Sequence, residues 1–176
     1  GWAGAQQHQG DLELIRDVVR ATAREVEWVF FGMCPEALRP YVYEFHEFVA
    51  SFDEYPAKLA SLNLDLAVAP LELNAFNEAK SNLRLLEYGI LGWPVICTDI
   101  YPYQEAPVTR LPNEPRAWIE AIRERIHDLD AAAQEGDRLR EWVLAGYLLE
   151  DHLEEWLAAF AHPASVCARP PAPAVP

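Results

Sequence analysis

Apolar residues recur along this chain in two alternating rhythms. Leu12, Ile15, Val18, Val19 and Thr22 follow Asp11 at helical spacing, so the pattern predicts a helix with Asp11 as its N-cap. Ahead of it, Gly1 to Gly4 is a short apolar piece. Glu27 to Phe31 is a compact β-branched and aromatic run closed by Gly32, the pattern of a buried strand. Val42 to Phe48 is a second strand, Pro56 suits the first turn of a short helix reaching about Leu62, and Leu64 to Ala69 is a third strand closed by Pro70. After a polar loop from Glu72 to Lys80, the spacing predicts a helix over Ser81 to Leu91, striped by Leu83, Leu86 and Ile90 and ended by Gly92. Pro94 to Thr98 is the next strand.

From Pro115 onward the rhythm is helical throughout. Trp118, Ile119, Ile122 and Ile126, then Leu139, Trp142, Val143 and Leu149, then Leu153, Trp156, Leu157 and Phe160 mark three closing helices. Repeated βα succession predicts an α/β fold: a Rossmann-like parallel sheet flanked by helices, with ligands outside the carboxyl ends of its strands. Residues 1–160 are expected to form one domain. The remainder, 161–176, is rich in Pro and Ala without apolar period and reads as a linker or disordered tail.

Composition narrows the function classes. With 176 residues the chain supports a single core, and a net charge of -14 argues against nucleic acid and anionic membrane as partners. Cys34, Cys97 and Cys167 are widely spaced without a CxxC pattern, which suggests neither a disulfide framework nor a zinc site and fits a cytoplasmic setting. No apolar run nears the ~20 residues that span a bilayer, and the start carries no signal-peptide pattern. The chain has no initiator Met and opens inside a strand-to-helix unit, so it is expected to be part of a longer protein, through which any attachment to the inner membrane is peripheral.

The stretch from Asp65 to Tyr103 carries the chemistry. Glu87 lies beside the apolar stripe of its helix, where an unpaired carboxylate would cost several kcal/mol, so a cation, hydroxyl groups or a ligand must answer it. Lys80 stands seven residues earlier, near the helix N-terminus, where free N–H groups and the dipole already favour anions. A nucleoside diphosphate matches both: phosphates for Lys80, ribose hydroxyls for Glu87. The plainer alternative is an exposed Arg84–Glu87 pair at i,i+3 with Lys80 solvated in its loop.

Pro70, Leu71, Phe76, Asn77, Lys80, Ser81, Leu86, Glu87, Tyr88, Gly92, Pro94 and Val95 form a run that resembles the "PL…FN..KS..K.LEY…G.PV" segment of group 1, retaining glycosyltransferases of the GT-B fold. GWAGAQQHQGDL is similar to that family's opening strand and turn, and Pro115 to Phe160 to its Trp-bearing closing helices. The resemblance implies the C-terminal, donor-binding domain of an enzyme moving sugar from a nucleoside-diphosphate sugar to a glycan or lipid-linked acceptor, with retention, in bacterial surface-polysaccharide assembly. The acceptor site would lie on a preceding Rossmann-like domain outside this chain. By the same resemblance Glu87 binds the ribose, while Lys80, Ser81 and the backbone near Asn82 face the phosphates and Lys80 stabilises the departing phosphate. The family's second glutamate, eight positions earlier, falls on Ala79, with Glu78 adjacent as the substitute and Asn77 beside it. Where the family places Arg and Lys after the first strand, this turn offers Gln6, Gln7, His8 and Gln9, with His8 as a partial replacement.

Other features are weaker. Tyr101 and Tyr103 follow a strand and suit either donor contact or loop anchoring, and Phe48 is a candidate for the base. His46 reads as a satisfied, partly buried histidine, Cys97 as a small core hydrophobe, and Trp118, Trp142 and Trp156 as packing. Asp128-Leu129-Asp130 matches DxD but reads as a solvated acidic face; no metal and no cofactor are expected. A non-catalytic nucleotide-binding or protein-interaction domain on a degenerate GT-B scaffold is the alternative, favoured by Ala79 and the cation-free first turn. An unrelated flavodoxin-like module would need a phosphate loop, and Gly1, Gly4 and Gly10 do not fit GxGxxG. The acidity is uneven: Leu111 to Phe160 holds five Arg against twelve Asp and Glu, whereas Phe76 to Arg84 is net positive by one.

Overall fold

The computed structural model describes residues 1–161. Strands β1 (Trp2–Ala3), β2 (Val29–Gly32) and β3 (Glu44–Glu47) form one parallel ladder, and β4 (Ala67–Ala69), β5 (Val95–Thr98) and β6 (Thr109–Leu111) another. The Val68 N–H donates to the Gly1 carbonyl at 2.9 Å, which lays β4 beside β1 and gives the spatial order β3-β2-β1-β4-β5-β6. The single sheet expected is thus two three-stranded ladders meeting at this seam. Strand order reverses there, so a crevice opens outside the carboxyl ends of β1 and β4.

Alternation along the strands builds a core on each face. Ala3, Phe31, Ala67, Ala69, Val95 and Cys97 face α3 (Tyr55–Ala60), α5 (Leu83–Ile90) and α7 (Leu129–Gly146) through Leu59, Leu85, Tyr88 and Leu139. Trp2, Phe30, Val68 and Ile96 face α1 (Gln9–Leu14), α2 (Arg16–Thr22) and α6 (Pro115–His127) through Leu12, Val18, Val19, Trp118 and Ile122. Pro56 and Pro115 sit in first helical turns, where the missing N–H costs nothing. Cys97 is fully buried in β5, and burial pushes its thiol up, as fits a small hydrophobe.

Several expectations are corrected. The first helix breaks at Ile15 into α1 and α2, and Asp11 is not a cap: it lies buried in the first turn of α1, following a 3-10 turn over Gln6–His8. The loop before α5 contains a one-turn helix, α4 (Ala75–Glu78), whose N-cap Asn74 accepts from the Asn77 N–H at 2.9 Å. On α5 the buried stripe is Leu85, Tyr88 and Gly89, while Leu83 is 57% and Ile90 39% exposed. The missing side chain at Gly89 decides this, since a Cβ there would stand 2.8 Å from Leu139 and Val143 of α7, the helix packed against it. Strand β6 escapes the pattern because Thr109-Arg110-Leu111 is a half-exposed edge.

The closing helices are α6, α7 and, after a 3-10 turn over Leu149–His152, α8 (Leu153–Ala161). Asp128 of the DxD match caps α7 by accepting from the Ala131 N–H at 2.9 Å. Trp118 is core, but Trp156 is 55% exposed and stacks on Phe160, and among the described residues α8 has no buried side chain. Among the described residues no helix is long and apolar enough to cross a membrane. The Pro/Ala-rich segment beyond 161, with Cys167, lies outside the described residues.

Candidate functional site

A cavity of about 660 Å³ opens at the carboxyl ends of the strands, on the seam between the two ladders. Gly4 and Ala5 after β1, Gly32 ending β2, and Leu71 after β4 form its floor. Gly32 takes φ +94°, and a Cβ there would collide with the Gly4 carbonyl oxygen, so only glycine lets β1 and β2 close under the cavity. Phe48 and Phe52, exposed beyond β3, supply an apolar wall, and Lys80, Ser81, Arg84 and Glu87 come from the α5 side.

The first polar cluster is organised by Asp11, 3% exposed. Its Oδ2 lies 2.7 Å from His8 Nδ1 and 3.8 Å from Lys80 Nζ. Its Oδ1 accepts from the Glu72 N–H at 2.7 Å and from Asn77 Nδ2 at 3.2 Å. Burial pushes the Asp11 carboxyl up, but the His8 and Glu72 hydrogen bonds and the charges of Lys80 and His8 outweigh it and hold the group below its ordinary value. Asp11 therefore stays ionised and ties the first βα turn to the loop before α5. Sequence reasoning missed this role, although Asp11 shares the helical face of buried Ile15 and Val18, the same signal that singled out Glu87.

The second cluster lies on α5. Arg84 Nη1 and Glu87 Oε2 are 3.6 Å apart, with side chains 18% and 23% exposed. The pair read as a surface alternative thus exists, but inside the cavity. Burial pushes the Glu87 carboxyl up, only partly opposed by Arg84 and a hydrogen bond from Tyr55, whose own phenol burial and the Glu87 charge push up to about 12. Tyr103 is buried in the lining, and its phenol is likewise pushed up by burial. Tyr88 is engaged elsewhere: its hydroxyl accepts from the Ala3 N–H at 2.9 Å, fixing α5 on β1.

The structure therefore brings together His8, Lys80, Ser81, Glu87, Tyr103 and Phe48 around one cavity. It leaves four candidates out of the lining. Asn77 points inward, but its amide is committed to Asp11 and to the Glu72 carbonyl at 2.8 Å; Glu78 is exposed on the outer side of α4. Asn82 donates to the Tyr147 hydroxyl at 2.9 Å, and Tyr101 is 69% exposed, away from the lining. His46 is satisfied by Lys58 at 2.8 Å and Glu44 at 3.0 Å, as expected. Among the described residues no group of three or more His, Cys, Asp or Glu is placed to hold a metal. The arrangement suits an anion beside His8, Lys80 and Arg84, hydroxyl groups at Glu87, and a flat apolar group at Phe48.

No protein-family description matches the chain, and no curated protein sequence matches it. Solved structures do. TarM aligns over 90% of this chain and 34% of its own, at 17% identity and a TM-score of 0.65. An S. aureus TarM point mutant, in complex with fondaparinux, α-GlcNAc-glycerol and UDP, aligns over 91% of this chain and 34% of its own, at 17% identity and a TM-score of 0.69. Anabaena HepE, in complex with UDP and glucose, aligns over 92% of this chain and 47% of its own, at 13% identity and a TM-score of 0.68. The chain thus spans between a third and a half of the proteins it matches, and its fold is that of the C-terminal, Rossmann-like half of GT-B glycosyltransferases.

Proposed function

We propose that this chain is the donor-binding part of a group 1, retaining glycosyltransferase that takes a sugar from a nucleoside-diphosphate sugar, in bacterial surface-polysaccharide assembly. The observation that carries the reading is the cavity at the strand-order reversal, lined by His8 and Lys80 and by the Arg84–Glu87 pair of α5. Lys80 and His8 meet the diphosphate with the first turn of α5 behind them, and Glu87 accepts hydrogen bonds from the ribose hydroxyls. As the bond from the anomeric carbon to the phosphate oxygen breaks, negative charge grows on that phosphate, and fixed cations in a partly desolvated site stabilise it without a metal or cofactor. Tyr103 flanks the same space, and Phe48 offers a face to the base. UDP in the TarM and HepE complexes makes it the first nucleotide to test. The glycan or lipid-linked acceptor belongs to a domain preceding this chain, and the protein works in the cytoplasm.

A second reading, a non-catalytic nucleotide-binding or protein-interaction domain on the same scaffold, is favoured by Ala79 and by the fact that Lys80 and His8 both already face Asp11. Calorimetric titration with UDP, GDP, TDP, ADP and CMP separates the outcomes. Under the donor-site reading at least one nucleotide binds, Lys80→Ala weakens the diphosphate but not its nucleoside, and Glu87→Ala weakens both. Absence of binding by all five sinks it. Sugar transfer by a longer chain that includes the preceding domain then decides between enzyme and relic.

A further inference from the structure

Arg84, beside Glu87 in the lining, has the least satisfied environment in the cavity. Its Nη1 is removed from solvent and has no hydrogen-bond partner, the only such side-chain atom among the described residues. Glu87 Oε2, at 3.6 Å, is beyond hydrogen-bond reach, and that carboxyl is itself pushed toward its neutral form by burial. A guanidinium stays protonated under all ordinary conditions, so an unanswered donor here is a standing cost that a ligand can remove. Its position specifies the ligand. Arg84 lines the cavity, and its Nη2 lies 3.3 Å from where a Cβ of Gly4 would stand, so the fork reaches beneath the first βα turn. That turn, Gly4 to Gln9, has neither Lys nor Arg. The other side chains near it that could meet an anion, His8 and Lys80, are shared with Asp11, at 2.7 Å and 3.8 Å.

We propose that Arg84 is the principal phosphate anchor of the cavity, presenting its guanidinium from α5 to the diphosphate, with Nη2 toward Gly4 and the unpartnered Nη1 beside it. The proposal rests on the nucleoside-diphosphate reading of the site and names the residue that carries it. The planar fork gives two donors to neighbouring phosphate oxygens, which a lysine cannot reproduce. Tyr88, whose ring centroid is 5.7 Å from the guanidinium carbon, backs it and limits its rotamers. Gly4 keeps this approach open, since a Cβ there would stand 2.5 Å from the Trp2 ring and 3.3 Å from Arg84 Nη2.

The test compares UDP, uridine and inorganic pyrophosphate on the wild-type chain, Arg84→Gln and Arg84→Lys, with far-UV circular dichroism confirming the fold. Arg84→Gln is expected to weaken UDP and pyrophosphate by about tenfold to a hundredfold and leave uridine within about twofold, with Arg84→Lys between. If Arg84→Gln does not fold, the loss for pyrophosphate but not uridine in Arg84→Lys carries the same distinction. Unchanged UDP binding by a folded Arg84→Gln or Arg84→Lys overturns the anchor and leaves the nucleotide reading standing. Pyrophosphate binding that depends on Arg84, with no binding of uridine or any added affinity for UDP, keeps the anchor and overturns the nucleoside part. A wild-type chain that binds neither UDP nor pyrophosphate overturns both.

Discussion

A buried arginine and a half-buried one, on different helices, are treated in opposite ways. Arg125 of α6 is 7% exposed and closed: Nε and Nη2 fork onto Glu135 at 3.0 Å each, Nη1 donates to the Ala121 carbonyl at 3.0 Å, and Nη2 to Thr109 Oγ1 at 2.5 Å. Arg84 of α5 is open, with Glu87 at 3.6 Å and an Nη1 that donates to nothing. The origin of the acid explains the difference. Glu135 comes from the neighbouring helix and meets the guanidinium along its Nε–Nη2 edge, whereas Glu87 shares the helix with Arg84 at i+3 and must fold back along it. A pair between elements locks α6, α7 and β6 together. A pair within one helix leaves donors over, and those donors face a cavity.

The largest expected effect tests the closed side. Arg125→Met removes a full set of charge-assisted bonds and leaves Glu135, 28% exposed, without its cation, so urea denaturation should show a loss of about 2–4 kcal/mol. Arg84→Met, which breaks the long pair with Glu87 and the contact with the Tyr88 ring, should stay within about 1 kcal/mol of wild type in the same measurement. Equal losses would mean that Arg84 also holds the fold together, and the contrast would collapse.

The same contrast accounts for what is legible in the sequence. Strands β2, β4 and β5 stand out because both of their faces are covered, so their apolar runs are continuous, and α6 and α7 because each has a wide apolar stripe. The buried face of α5 escapes periodicity, which counts large side chains, because the close approach of α7 depends on the absence of one at Gly89. Lys80 and Glu87 are visible as charges near an apolar helix. Asp11 is not, since its partners Glu72 and Asn77 arrive from 61 and 66 positions away, and Arg84 is hidden by an apparently adequate neighbour in Glu87. Glu78 stands next to Ala79 in sequence, but the single turn of α4 directs its inner position to Asn77 instead.

Asp11 and Glu87 extend the comparison to pH. Asp11→Asn keeps the shape but removes the acceptor shared by His8 and Lys80, and should cost about 1–2 kcal/mol at neutral pH. The folded carboxyl titrates below its ordinary value of 3.8, so its stabilisation is complete above that value and is lost as pH falls through the folded-state pKa. Thermal melts from about pH 3 to about pH 7 should therefore show a steeper acid-side fall in wild type than in Asp11→Asn. Parallel curves would mean that the Asp11 network contributes nothing through charge.

Glu87→Gln should give the smallest change, within about 1 kcal/mol, because the half-buried pair it removes is already long. Its sign is the informative part. The folded Glu87 carboxyl titrates above its ordinary value of 4.5, so the folded state holds the proton more tightly than the unfolded chain, and stability on this account falls as pH rises from that value through the folded-state pKa. The glutamine amide has no proton to lose, so the variant gains on wild type over that interval, opposite in direction to Asp11→Asn, which loses ground as pH rises. Two carboxylates, Asp11 behind His8 and Lys80 and Glu87 in the cavity lining, thus tilt the melting profile in opposite senses, one held ionised by its partners and the other held back by burial. A Glu87→Gln profile that tracks wild type at every pH would show that Arg84 fully compensates the charge, and the open side of the molecule would then be as closed as the Arg125 side.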